Sequence, residues 1–111
     1  ALGAVLDGYS RDTKGILELN LPTFSYGTYS QDQAPRGKVI DYRVPIQIDG
    51  VKITPGDIIF GDIDGVCVIP QKIEKKVIEL ACEKVKGENL VRESIESGMT
   101  SVEAFNKYGI M

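Results

Sequence analysis

The sequence has 111 residues, 42% hydrophobic and 26% charged, which is the length and balance of one soluble globular domain. With 13 Lys and Arg against 16 Asp and Glu, the formal charge is -3, which argues against affinity built on neutralising phosphates; nucleic acid is not an expected partner. There is no histidine, so Ser-His-Asp and Cys-His nucleophile systems, histidine zinc sites and phosphohistidine carriers are excluded, and carboxylates, Arg, Lys, Tyr, Ser and Cys must carry any chemistry.

A chain of this size is expected to bury roughly two-thirds of its unfolded surface without help from disulfides or metal. Cys67 and Cys82 lack any metal-like spacing and sit in apolar runs, so both are expected as small buried hydrophobes in a reducing compartment. No apolar stretch approaches the ~20 residues that span a bilayer, and no charged segment followed by an apolar one opens the chain. The expectation is a cytoplasmic protein with no membrane association. The chain opens without Met on Ala1-Leu2-Gly3-Ala4-Val5-Leu6, a strand already in progress, which suggests a fragment or a processed product.

In chain order, the strand Ala4-Val5-Leu6 ends at the turn signal Asp7-Gly8, and Asp12 or Thr13 is placed to cap a short helix carrying Ile16, Leu17 and Leu19. Pro22 to Tyr26 is rich in β-formers and ends at Gly27; Thr28 to Gly37, with Pro35, forms a polar loop of a length often used for function. From Lys38 to Ile69 strands dominate. Val39, Tyr42, Val44, Ile46, Ile48, Val51 and Ile53 partly alternate, Asp49-Gly50 and Asp64-Gly65 mark hairpin turns, and Pro55-Gly56-Asp57 marks a tight turn. The pattern predicts an antiparallel meander or a small barrel-like sheet, stopped by Pro70. The period then changes: Ile73, Val77, Ile78, Ala81 and Val85 make one helix face, continued by Leu90, Val91 and Ile95 past Gly87, with Gly98 as its stop. A short terminal helix starts at Thr100 or Ser101 and ends near Tyr108-Gly109.

The densest polar group is Asp7-Gly8-Tyr9-Ser10-Arg11-Asp12, just after a strand, where Gly8 lets the chain turn. Arg11 suits bidentate binding of a carboxylate, and Asp12 suits a hard divalent cation held directly or through water. The same residues also fit a helix N-cap beside a solvated Arg, and they do not choose between the two. Asp57, Asp62 and Asp64 are explained by turn chemistry and fail the EF-hand pattern, which sets calcium aside. Lys72, Lys75 and Lys76 are a small surface patch, and Glu83, Glu88, Arg92, Glu93 and Glu96 a solvated helix face with a pairing such as Glu88 with Arg92.

Several of these stretches together carry a resemblance. Gly3 through Asp12 is similar to the "G-x-V-x-D-G-x-x-R-D" stretch of the RraA-like family, which contains the regulator of ribonuclease activity A and the class II 4-hydroxy-4-methyl-2-oxoglutarate aldolases. Pro22-Thr23-Phe24 with Gly27 resembles its "P-v-F-x-x-G", Pro45 with Gly50-Val51 its "P-V-x-x-G-V", and Pro55 through Asp64-Gly65-Val66 to Pro70 its "P-G-D-l-v-x-x-D-x-D-G-V-x-v-v-P". The ordered set covers most of the chain.

The resemblance implies an α/β fold, a swivelling β/β/α domain with a strand-rich middle, a long helix and a short terminal helix, so that residues 1–111 form a single RraA-like domain lacking its N-terminal part. It implies a homotrimer or a dimer of trimers. It also implies a lyase that cleaves 4-hydroxy-2-oxo diacids to pyruvate or decarboxylates oxaloacetate with Mg²⁺ or Mn²⁺, acting on a small 2-oxo acid. By motif position Arg11 is the catalytic, substrate-binding residue, with Gly8 beside it in the substrate loop, and Asp12 is the catalytic metal-site carboxylate. Arg11 would stabilise the enolate oxygen formed when the C–C bond breaks, with no Schiff-base lysine. The family's upstream half, with its Gly-rich "G-D" loop, has no counterpart here. The aldolases draw a Glu from a neighbouring subunit's C-terminal region, where Glu93 and Glu96 lie. The rival implication is a non-enzymatic regulator that binds a ribonuclease; a swivelling phosphotransfer domain is a third, opposed by the missing histidine.

Overall fold

A computed structural model describes residues 1–34 and 36–109; Pro35 of the polar loop lies outside the described residues. The chain is mixed α/β and divides into two compact units, residues 1–70 and 71–111.

The first unit starts with a parallel pair, β1 (Ala4–Val5) and β2 (Thr23–Phe24), in the register Ala4 to Thr23 and Val5 to Phe24. A parallel pair needs a crossover, and the helix α1 (Thr13–Glu18) lies within it. The pairing continues past the strands as spaced backbone bonds: Tyr26 N donates to Gly8 O at 2.8 Å, Ser10 N to Gly27 O at 2.9 Å and Tyr29 N to Ser10 O at 2.8 Å. Two hairpins follow, β3 (Ile46–Ile48) with β4 (Val51–Ile53) and β5 (Ile58–Asp62) with β6 (Gly65–Ile69). Asp49 and Gly50 both have positive φ, 45° and 81°, which is the backbone of the two-residue turn that matches strand twist. Between the hairpins, Asp57 N donates to Thr54 O at 2.9 Å while the Asp57 carboxylate accepts the Thr54 N–H at 2.8 Å.

Three corrections to the sequence reading arise in this unit. Among the described residues the strands form three separate two-stranded ladders and not a meander or barrel, and the stretch carrying Val39, Tyr42 and Val44 is outside the strands, interrupted at Arg43 by a left-handed φ of 57°. The second hairpin turns at Ile63-Asp64, because Asp62 pairs with Gly65 and Gly65 already belongs to β6. Gly8 is not among the positive-φ residues, and a Cβ there would meet nothing within 4 Å, so its turn does not depend on glycine.

The second unit is helical. A 3-10 turn (Gln71–Ile73) leads into α2 (Glu74–Glu96), which runs through Gly87 without a break. It ends in a Schellman arrangement: Gly98 N donates to Ile95 O and Met99 N to Ser94 O, both at 3.0 Å. Helix α3 (Ser101–Tyr108) packs on α2 through a Ser94 to Tyr108 hydroxyl contact of 2.9 Å. On α2, Lys84 pairs with Glu88 at 3.6 Å, and among the described residues Glu88 is not paired with Arg92.

Thr100 and Glu103 cap α3 reciprocally: Glu103 N donates to the Thr100 hydroxyl at 3.3 Å, and Thr100 N donates to the Glu103 carboxylate at 2.9 Å. Thr100→Ala is expected to destabilise α3 by about 1 kcal/mol. The Thr100 hydroxyl and backbone N–H hold the Glu103 carboxyl below the usual glutamate value. Because the native value is the depressed one, the cap's contribution is present above the ordinary glutamate value and is lost as pH falls through the lowered one. Amide exchange in α3, followed from neutral to acid pH, should show protection falling only in that acid window; an unchanged profile in the Thr100→Ala protein would refute the assignment.

The expected self-contained core is not met. Among the described residues only Val91 and Ala104 are apolar and buried, and Cys67 and Cys82 are both exposed. Leu2, Ala4, Val5, Phe24, Ile46, Ile48 and Ile59 line an open apolar cleft of the first unit instead. Among the described residues no helix is long and apolar enough to cross a membrane.

Candidate active site around Arg11 and Asp12

The β1–β2 ladder delivers the site. Ser10 bridges Thr28 in parallel register, so the residue before Arg11 is pinned to the segment that follows β2. Its side chain is buried and donates to Gly27 O at 3.3 Å, and the Ser25 hydroxyl joins at 3.2 Å. Tyr9 meets Tyr26 edge-on and Tyr29 at a tilt, with ring centroids 6.4 and 5.9 Å away, and the Tyr26 hydroxyl donates to Asp7 at 2.8 Å, which pushes that phenol above its ordinary value. The backbone that presents residues 10–12 is therefore held on both sides.

Asp12 occupies the N-cap position of α1 without acting as a cap. Its φ of 60° and ψ of 34° are left-handed, and its side chain makes no cap bond, whereas capping residues sit in the extended region. That conformation costs an L-residue about 1–2 kcal/mol and is entered most readily by Asp and Asn. The carboxylate turns to Arg11 instead: Arg11 Nε to Asp12 Oδ2 is 3.3 Å. The Asp12 side chain remains 76% exposed.

A second carboxylate, which the sequence reading did not single out, meets the same guanidinium. Asp32 Oδ2 is 2.8 Å from Arg11 Nη1. Asp12 and then Asp32 raise the Arg11 pKa above its already high value, so it is a permanent cation. The Asp32 carboxyl is held below the usual range, first by the Ala34 N–H and then by Arg11. The available signal was the polar loop after Thr28, whose length suggested function but whose fold did not reveal which residue turns back. Arg11, Asp12, Ser10, Thr13, Thr28, Tyr29 and Ser30 line an open cleft of about 320 Å³. Gly8 does not line it; its carbonyl accepts the Tyr26 N–H.

The profile of the family described as RraA-like, Aldolase/RraA, matches residues 1–68, the part of the chain that holds this cleft. The chain belongs to the RraA-like family. The chain is 36% identical over 103 residues to a Halalkalibacterium halodurans protein named "Putative 4-hydroxy-4-methyl-2-oxoglutarate aldolase", covering 93% of this chain and 49% of that one. It is 35% identical over 107 residues to Protein DlpA of Legionella pneumophila, covering 96% of this chain and 17% of the other. The structure superposes with a TM-score of 0.90 on a crystal structure of an uncharacterized protein from Pseudomonas syringae pv. tomato, at 35% identity over 93% of this chain and 52% of that chain. The chain thus spans about half, or less, of the relatives it matches.

Proposed function

We propose that Arg11 and Asp12 are this chain's share of a lyase site that releases pyruvate from 4-hydroxy-2-oxo diacids and from oxaloacetate with the help of Mg²⁺ or Mn²⁺. The observation that carries the reading is the orientation of Asp12: its carboxylate leaves the helix it could cap and stands exposed beside a fixed cation at a cleft. The relative named as a putative aldolase supports the choice of reaction.

The donor chemistry fits a hard divalent ion in a limited way. Among the described residues no group of three or more Asp, Glu or Cys side chains could hold a metal. Asp12 alone would serve, directly or through water, and Mg²⁺ commonly takes only one or two protein carboxylates. When bound, the ion would polarise the 2-oxo group as a Lewis acid. Arg11 binds the substrate's oxygen, keeps its charge throughout, and offers N–H donors to the oxygen on which negative charge grows as the C–C bond breaks. In this reading the protein assembles as a homotrimer or a dimer of trimers, a state that light scattering measures directly.

Oxaloacetate is the most informative substrate, because its cleavage releases CO₂ and requires no hydroxyl proton to be removed first. Pyruvate release should require Mg²⁺ or Mn²⁺ and cease with chelator. Asp12→Asn keeps a residue suited to the left-handed backbone, so it tests the charge apart from strain, and it is expected to lower turnover about 10–100-fold, the range seen when metal-site support is removed. Turnover that ignores chelator sinks the metal-dependent reading, and no turnover with any divalent ion sinks the lyase in favour of the protein-binding regulator.

A further inference from the structure

We propose that Asp32 is the positioning residue for Arg11: its ion pair with Nη1 fixes the plane of the guanidinium so that the remaining donors keep one orientation at the cleft. The inference rests on the reading of Arg11 as the substrate-binding cation.

A planar guanidinium held by a single contact can swivel about it. Contacts to two different nitrogens remove that freedom, and Arg11 has both, Nε on Asp12 and Nη1 on Asp32. The two are not equivalent. Asp12 is the next residue along the chain and moves with Arg11, whereas Asp32 reaches in from a separate loop that has its own internal bonds and whose start is tied to the Ser10 backbone. The Ala34 N–H donates to Asp32 Oδ1 at 3.1 Å, Arg36 Nη1 donates to the Asp32 carbonyl at 3.1 Å, and Tyr29 N, at the loop's start, donates to Ser10 O at 2.8 Å. One carboxylate oxygen is thus anchored by the loop while the other meets Arg11.

Asp32 could instead be a plug that occupies the place of a substrate carboxylate. The donor inventory decides against this. Of the five N–H donors of a guanidinium, one on Nε and one on Nη1 are engaged, and among the described residues the rest, both on Nη2 included, meet no partner that substrate would have to displace. A second anion beside Arg11 also weakens its pull on an anionic substrate, so what Asp32 supplies is orientation and not attraction. The two roles differ in sign. A positioning residue, when removed, lowers kcat without raising KM; a plug, when removed, raises kcat/KM.

The test uses Asp32→Ala and Asp32→Asn in the protein, with oxaloacetate kinetics and ¹⁵N relaxation of the Arg11 Nε–H group. The Asp32 side chain is 63% exposed, so both variants should melt as the parent does, which a thermal scan checks. Asp32→Ala should lower kcat by about 10–100-fold, as small misplacements of catalytic groups do, with KM unchanged or lower, and Arg11 Nε–H should become mobile. Asp32→Asn, with one carboxamide oxygen for two N–H donors, should fall between. An unchanged or raised kcat in Asp32→Ala, a rise in KM alone, or equal Arg11 mobility in parent and variant overturns the proposal. If the parent protein turns over no oxaloacetate, the reaction assignment fails, and the relaxation measurement still decides whether Asp32 fixes Arg11.

Discussion

Arg11→Ala is expected to lower kcat for oxaloacetate by about 10²–10³-fold, the loss that follows removal of a donor to a developing oxyanion. A cation that only gathered an anionic substrate would show its loss in KM; one that strengthens as charge moves onto the oxo oxygen shows it in kcat. Asp12 and Asp32 already neutralise much of the Arg11 charge, which leaves little net attraction and favours the second case. Arg11→Lys should recover little. An ammonium on a flexible stem cannot meet Asp12, Asp32 and substrate in one plane as the fork does. The pH profile should owe nothing to Arg11 itself, whose pKa is raised further by its two carboxylates. A KM-only effect in Arg11→Ala would show uniform binding and remove Arg11 from the bond-breaking step.

Gly61→Ala is expected to destabilise the first unit by about 1–3 kcal/mol through overpacking. A Cβ at Gly61 would stand 2.7 Å from Phe24 Cζ and 2.8 Å from Phe24 Cε2, with Val66 Cγ2 at 3.3 Å. The Phe24 ring lies over β5 only because that position carries no side chain. The ring is stiff, and Phe24 belongs to β2, which pairs with Val5 of β1. Phe24→Leu removes the atoms in conflict, so the double variant Gly61→Ala with Phe24→Leu should lose less than the sum of the two singles. Denaturant melts of the four proteins measure the cycle. Additive losses would mean that the ring and the glycine do not meet.

The helical half was legible because its signals are local. The Thr100 and Glu103 spacing marks the start of α3, Gly98 marks the stop of α2, and the apolar repeat carries α2 through Gly87, all within a few residues of one another. The strand half was legible in its turns, Asp49-Gly50 above all, and less so in its pairing. Alternation at Val39, Tyr42 and Val44 shows which side chains would face a partner, but neither that a partner strand is present nor that Arg43 turns left-handed. The exposed cysteines teach the same lesson, since an apolar run marks a face suited to burial and not the surface that covers it. At the site, Arg11 and Asp12 were found because they adjoin. Asp32 was missed because nothing in a spacing rule joins it to Arg11; that link exists only once the Ser10 to Thr28 bridge has brought the loop back.

The left-handed backbone at Asp12 has an evolutionary consequence. Such a position admits few residues without strain, chiefly Asp, Asn and Gly, and the codons for Asp and Asn differ by a single base. One nucleotide change can therefore strip the charge on which the proposed chemistry depends while leaving the loop's conformation intact. A descendant that trades bond cleavage for pure binding lies one mutational step away from this scaffold, with no refolding required on the way.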